Sequence, residues 1–367
     1  MGARTQKNCP PKSLFDAAHS LTLFLTVLVA LSLPAVRVGA QQNDDVTAAR
    51  IAQLVVRVRA AQADEATRTE ARAAAYALIG AARYEDALSL FGALLERQPR
   101  DASALYGAAL ANFNLQRIAD AEQLDRTAVG ELRNTADPSG ALRNQHADAL
   151  VLLAVIEAVK GDNAAALATV QTAVKLAPRH FDAQFTLGRA LYGAGDPAAA
   201  ATAFRAAVAI KPDDARARFF LATALERAGD EADALTAYRE LVALAPNVAE
   251  GHLGLGVSLV KLGGDQLAEG VRELERAIAL NPDAYEARVT LGRTLIQQGQ
   301  SAAAVEHLKR AAELAPNNPE PHYQLALAYR RLGRSAEAAA ESGIVKQIHE
   351  ARRQTRAQPT RTTANND

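Results

Sequence analysis

The side chains that could do chemistry are thinly spread along this 367-residue chain. Beyond residue 40 the histidines are His146, His180, His252, His307, His322 and His349. None of them forms a His-Glu-x-x-His pair or another spacing that gathers metal ligands on one helix face. There is no Gly-x-x-x-x-Gly-Lys loop for phosphate and no Gly-x-Ser-x-Gly elbow for a nucleophile. "LGLGVSLVKLGG" (253–264) is rich in glycine but keeps a helical register and follows no strand, so its glycines read as packing residues. Asp162, Asp196, Asp230 and Asp265 stand where helices should start, and a carboxylate there caps the helix and complements its dipole. The formal charge is zero and the arginines form no stripe interleaved with aromatics, which argues against a nucleic-acid partner. The residue types therefore predict no catalytic group, no cofactor, no metal and no small-molecule substrate.

The N-terminus is set aside before any fold is argued. Arg4, Lys7 and Lys12 precede the uncharged apolar run "LTLFLTVLVALSL" (21–33), which is short for a transmembrane helix of about 20 residues. Pro34 breaks the run, and Val38 and Ala40 occupy the small-residue positions of a cleavage site. Residues 1–40 read as a Sec signal peptide cut after Ala40, with an uncleaved anchor as the alternative. The one cysteine, Cys9, lies ahead of the run, so it is misplaced for lipidation and is lost on cleavage. The mature chain would be mildly acidic, with no thiol or disulfide chemistry.

What organises the rest is a repeated phrase, "TAVKLAP", "AAVAIKP", "ELVALAP", "RAIALNP" and "RAAELAP", ending at Pro178, Pro212, Pro246, Pro282 and Pro316. Counting back from these prolines places units near 68, 102, 147, 181, 215, 249, 285 and 319, with an insertion around 134–146. A fixed period of this size means stacked supersecondary units. Each unit reads as two helices. In 181–214 the first ends at Gly195, Asp196 caps the second, Pro197 sits at its first position, and Pro212 stops it. Small residues recur at the eighth position (Gly188, Ala222, Gly256, Gly292) and the twentieth (Ala200, Ala234, Gly270, Ala304), which lets the two helices cross closely. Residues 41–67 read as an N-terminal capping helix for the array at 68–350, and 351–367, with Arg352, Arg353, Arg356 and Arg361, as a disordered basic tail.

"TLGRAL…AAAATAFRAAVAIKP" resembles the tetratricopeptide repeat, a 34-residue helix–turn–helix unit with Leu-Gly in the first helix, Ala and an aromatic in the second, and a closing proline. The resemblance implies an all-α, right-handed superhelical solenoid of about eight such hairpins. The chain departs from the family at its tryptophan position, filled by Gln184, Arg218, His252, Arg288 and His322, and at Asp125 and Ser342, where an aromatic is usual. At His252 and His322 a structural role is expected rather than a ligand role.

The resemblance further implies a concave surface built from the first helices, with positions two, five, nine and twelve facing it. Those positions hold Tyr106, Phe113, Phe185, Arg189, Tyr192, Phe219, Leu253, Arg293, Tyr323 and Arg330, with Asp148, Asp182, Glu250, Glu286 and Glu320 along one edge. Val289 and Ile296 belong to the same set of positions. Phe185, Arg189, Tyr192 and Phe219 are expected to form an anchor site. No Lys–Asn pair occupies positions five and nine, so the clamp by which some relatives grip acidic tails is not expected. The resulting expectation is a non-catalytic adaptor in an envelope compartment, the bacterial periplasm by preference and a secretory route otherwise. It would bind a peptide or helix of an unidentified envelope protein. A self-associating homo-oligomeric scaffold is the alternative.

Overall fold

The structure is a computed structural model, and it describes residues 48–60, 64–133 and 140–357. The expected signal peptide lies outside the described residues. Within them every regular element is helical, and no helix is long and apolar enough to cross a membrane. Two units are distinguished, Met1–Thr186 and Leu187–Asp367, with the division falling inside α8.

In the first unit α1 (Ala48–Arg59) places Ile51, Leu54 and Val58 at helical spacing and buries all three against α2 (Glu65–Gly80) and α3 (Tyr84–Arg97). α1 lies within 41–67, where a capping helix is expected. The hairpins α4 (Ala102–Asn114)/α5 (Ile118–Arg133) and α6 (Ala141–Val159)/α7 (Asn163–Leu176) follow. Part of the insertion is absorbed by α6, which starts at Ala141 rather than near 147.

In the second unit the remainder of α8 (Phe181–Gly193) precedes α9 (Pro197–Ile210). The pairs α10 (Ala215–Ala228)/α11 (Glu231–Leu244), α12 (Ala249–Leu262)/α13 (Leu267–Leu280), α14 (Tyr285–Gln297)/α15 (Ser301–Leu314) and α16 (Pro319–Arg331)/α17 (Ser335–Ala357) come next. The last helix runs on through 351–357, so the expected tail does not begin at 351, and Arg352 donates to the Asn317 carbonyl at 2.7 Å.

The turn chemistry follows from the residues. Gly195 adopts φ 85°, a left-handed value that suits glycine, and Asp196 then accepts the Ala199 N–H with Pro197 at the head of α9. Asp162 caps α7 in the same way. Asp230 makes no cap hydrogen bond. Asp265 lies in a 3-10 turn (Gly264–Gln266), and Gln266 takes the cap position of α13.

The packing rule of the hairpin is a knob on the second helix seated against a small residue on the first. A Cβ added at Gly292 would lie 2.5 Å from Leu308 Cγ, one at Gly188 2.6 Å from Phe204, and one at Gly256 2.9 Å from Leu274. The same knob position also faces the next hairpin. Phe91 fills the space beside Gly107, Tyr238 that beside Gly254, and Phe204 stacks on Phe220 at 5.5 Å. One residue thus ties its own hairpin together and to its successor. First helices also touch in succession, α2, α4 and α6 in the first unit and α10, α12, α14 and α16 in the second.

Candidate functional site

The expected partner-facing residues separate by environment. In the first unit Tyr106 is half-buried against Leu150 and Leu153, and its phenol is pushed well above its ordinary value by burial and by the nearby Asp148. Phe113 is half-buried against Ala109 and Ile156. Phe185 is only 9% exposed and stacks on Phe181 with ring centroids 5.8 Å apart. Its substitution would open that stack.

In the second unit Arg189 is half-buried, and burial pulls its guanidinium down to about 10. Tyr192 lies under the Arg227 guanidinium, 5.0 Å from its ring centroid. Phe219 meets Phe220 edge-on at 5.6 Å, and Leu253 packs against the core. The exposed members are Arg293, Arg330 and Tyr323, the last 57% exposed. Arg330 donates to Ser342 Oγ at 3.4 Å, whereas Arg293 has no hydrogen-bond or ion-pair partner among the described residues. Val289 and Ile296 are buried, at 8% and 1%, and face the core rather than a partner. The expected anchor quartet does not fall within one unit: Phe185 belongs to the first and Arg189, Tyr192 and Phe219 to the second.

Three features escaped sequence reasoning. The first explains the filled tryptophan position. Gln184 donates to the Pro178 carbonyl at 2.8 Å, Arg218 to Pro212 at 2.6 Å, His252 to Pro246 at 3.0 Å and Arg288 to Pro282 at 2.8 Å. Each link reaches back six residues to the proline that closed the preceding unit. Arg218 also pairs with Glu240, His252 with Glu273 at 2.6 Å and His322 with Glu341 at 2.7 Å. The signal was present as a polar donor recurring six residues after each proline.

The second is Asp125. It occupies the knob position, is fully buried, and neither carboxylate oxygen has a hydrogen-bond partner. Burial pushes its carboxyl up to about 8; Arg126 opposes the shift and Glu157 adds to it.

The third is a group of metal-ligating types, Asp148, His180 and Asp182, whose donor atoms lie within 4.8 Å of one another. No local spacing could show the whole group, because Asp148 lies on α6 while His180 and Asp182 lie at the start of α8. Both ring nitrogens of His180 are engaged. Nδ1 accepts the Ala183 N–H at 3.3 Å, so Nε2 carries the proton and donates to Asp148 Oδ1 at 3.0 Å. This geometry caps α8 and ties it to α6 without an ion.

Helical hairpins in series, with touching first helices and knobs seated on small residues, define a helical-repeat protein. The family model described as "Tetratricopeptide repeat" matches residues 72–141, 139–181 and 185–249; a second of that description matches 261–311, and "TPR repeat" matches 292–333. The chain belongs to the tetratricopeptide-repeat family. No curated protein matches it. Among solved structures, the C-terminal part of a TPR repeat-containing protein from Cytophaga hutchinsonii aligns with a TM-score of 0.52 at 17% identity, over 69% of this chain and 99% of that one. YrrB, titled a TPR protein with an unusual peptide-binding site, aligns at 0.45 and 21%, over 54% of this chain and 95% of that one. MamA from Desulfovibrio magneticus RS-1 aligns at 0.43 and 20%, over 47% and 96%. At such identities the likeness speaks to the fold alone.

Proposed function

We propose that this protein is a non-catalytic adaptor that holds a peptide or helical segment of another protein along a wall of first helices. The observation that carries this reading lies in the second unit. There α10, α12, α14 and α16 touch in succession, and their side chains include the exposed Tyr323, Arg293 and Arg330. Aromatic and arginine side chains are the types that most often dominate binding energy. The envelope compartment is part of the proposal and rests on the apolar run 21–33 and the small residues before Gln41.

Site-specific photo-crosslinking in the cells that make the protein tests the reading. A crosslinker at position 323, on a first helix, should capture a discrete partner. The same group at Ala302, exposed on the second helix α15, should not. Equal capture from both positions would defeat the wall as binding surface. N-terminal sequencing of the exported protein should begin at Gln41; a product retaining residues 21–33 would defeat the soluble-export part.

A further inference from the structure

We propose that the seam between α5 and α6 is a proton-operated joint of the first unit. With a proton on Asp125 the two helices stay packed; without it the seam opens locally while the other hairpins stay closed.

The register of the repeat sets the geometry. The knob that seals a hairpin to its successor is apolar at Phe91, Val170, Phe204, Leu274 and Leu308, all buried. At Tyr238 it is a buried phenol whose hydroxyl donates to Glu226 at 2.9 Å. Phe91 lies beside Gly107 and Tyr238 beside Gly254, each at the sixth position of the following unit. In α4/α5 the knob is Asp125, and the sixth position of the following unit is Leu152, also buried. Asp125 has no exposed surface, and neither of its oxygens has a hydrogen-bond partner. A second fastening is missing from the same seam. Leu150 stands where Gln184, Arg218, His252 and Arg288 donate to the preceding proline, and its side chain has no donor.

The charged groups around Asp125 do not relieve it. Beside it on α5, Arg126 pairs with Glu122 at 3.0 Å and with Glu157 of α6 at 3.1 Å. Lys160, just past the end of α6, pairs with Glu122 at 2.6 Å. Both cations are thus engaged by other carboxylates. Glu157 also accepts the Thr169 hydroxyl of α7 at 2.8 Å, and its charge adds to the upward shift of Asp125. From α4, Tyr106 brings a phenol that burial keeps neutral. His146 on α6 is held below its ordinary value by burial and by Arg133. An unpaired carboxylate at this depth is costly to ionise. Opening one seam lets water reach it for less than unfolding the chain, because repeats couple mainly to their neighbours.

The sign follows from the two states. The packed carboxyl titrates at about 8 and a solvated one at 3.8, so opening releases a proton between those values. The seam is tightest below about pH 4 and loosens about tenfold per pH unit until about pH 8.

The test is hydrogen exchange on the full chain and on Asp125→Asn, between about pH 5 and 7, with each rate divided by its intrinsic rate. Asparagine keeps the shape and removes the titration. His146 and Glu122 are present in both chains, so their own titrations cancel in the ratio. Protection in the variant relative to the wild-type chain should grow about tenfold per pH unit at the amides of α5 and α6. It should stay within about twofold at α10 and α11. Asp125→Leu, which also restores an apolar knob, should show the same growth from a higher start. A constant ratio at α5 and α6 would overturn the joint, since the carboxylate would then be relieved in place by water or by the Tyr106 hydroxyl. Equal growth at α10 and α11 would overturn it too, because the chain would be opening as a whole.

Discussion

The hairpins α14/α15 and α4/α5 answer the same packing problem with opposite chemistry. In the first, Leu308 is fully buried and its side chain fills the space over Gly292. In the second, the equivalent place is taken by Asp125, as deeply buried but with both oxygens unpartnered, over Ala109. The backbone forms the same hairpin in both cases. The fold therefore tolerates a carboxyl in a knob's place, as long as its neighbours supply enough apolar contact and the carboxyl can stay neutral. Leu152 and Ile156 of α6, both buried, share an apolar cluster with Ala109 and Ala121 of this hairpin.

The strongest way to break the comparison is to damage the well-packed member. Gly292→Leu puts a branched side chain where even a Cβ would sit 2.5 Å from Leu308. Overpacking of this kind costs about 1–3 kcal/mol and more where backbones must part. Hydrogen exchange should show lost protection centred on α12 to α17, because repeats couple mainly to their neighbours. Uniform loss along the chain would contradict the packing described.

Asp125→Leu sharpens the comparison from the other side by making α4/α5 resemble α14/α15. It should stabilise the chain by about 1–3 kcal/mol at neutral pH, read as a rise in Tm. The pH dependence has a definite sign. The folded-state carboxyl titrates at about 8 and an ordinary one at 3.8, so the folded chain holds the proton more tightly. The favourable contribution is complete below about pH 4 and is lost as pH rises through about 8. The difference in stability between variant and wild type should therefore widen across that window, by at most about 1.4 kcal/mol per pH unit. A constant difference would mean that Asp125 has a partner.

A smaller effect is expected at the proline links. His252→Leu abandons the Pro246 carbonyl and leaves Glu273 without its partner, a loss of about 1–2 kcal/mol in chemical denaturation. His252→Gln should lose less, because Gln184 makes the same link at 2.8 Å. The smallest effect belongs to the exposed pair Arg205–Asp233, at 3.3 Å, where Arg205→Ala should change stability by less than about 0.5 kcal/mol.

The hairpins were legible because their signals are local. A proline fixes where a helix stops, Gly195 and Asp196 fix the turn, and the small residues at Gly188, Gly256 and Gly292 mark the crossings. Exposure at a repeat position is not local. Phe185 and Tyr323 share the fifth position, yet one is 9% exposed and stacked on Phe181 and the other is 57% exposed. Which of the two is available to a partner depends on what neighbouring side chains cover, and the period carries no trace of that. The Asp148–His180–Asp182 group was hidden for the same reason, since it joins α6 to the start of α8.

The proline links carry a consequence for how such a chain bears load. Each runs from the first turn of one hairpin to the strap that leaves the previous one, so it resists sliding of one hairpin along the next. Within the second unit these links lie in series from Pro212 to Arg288. Tension applied to that stretch would be shared among short, directional bonds as well as among apolar contacts. The final hairpin lacks the bond: the Nε2 of His322 is buried with no partner. Under a pull from the C-terminal side, that hairpin is where the unit should peel first.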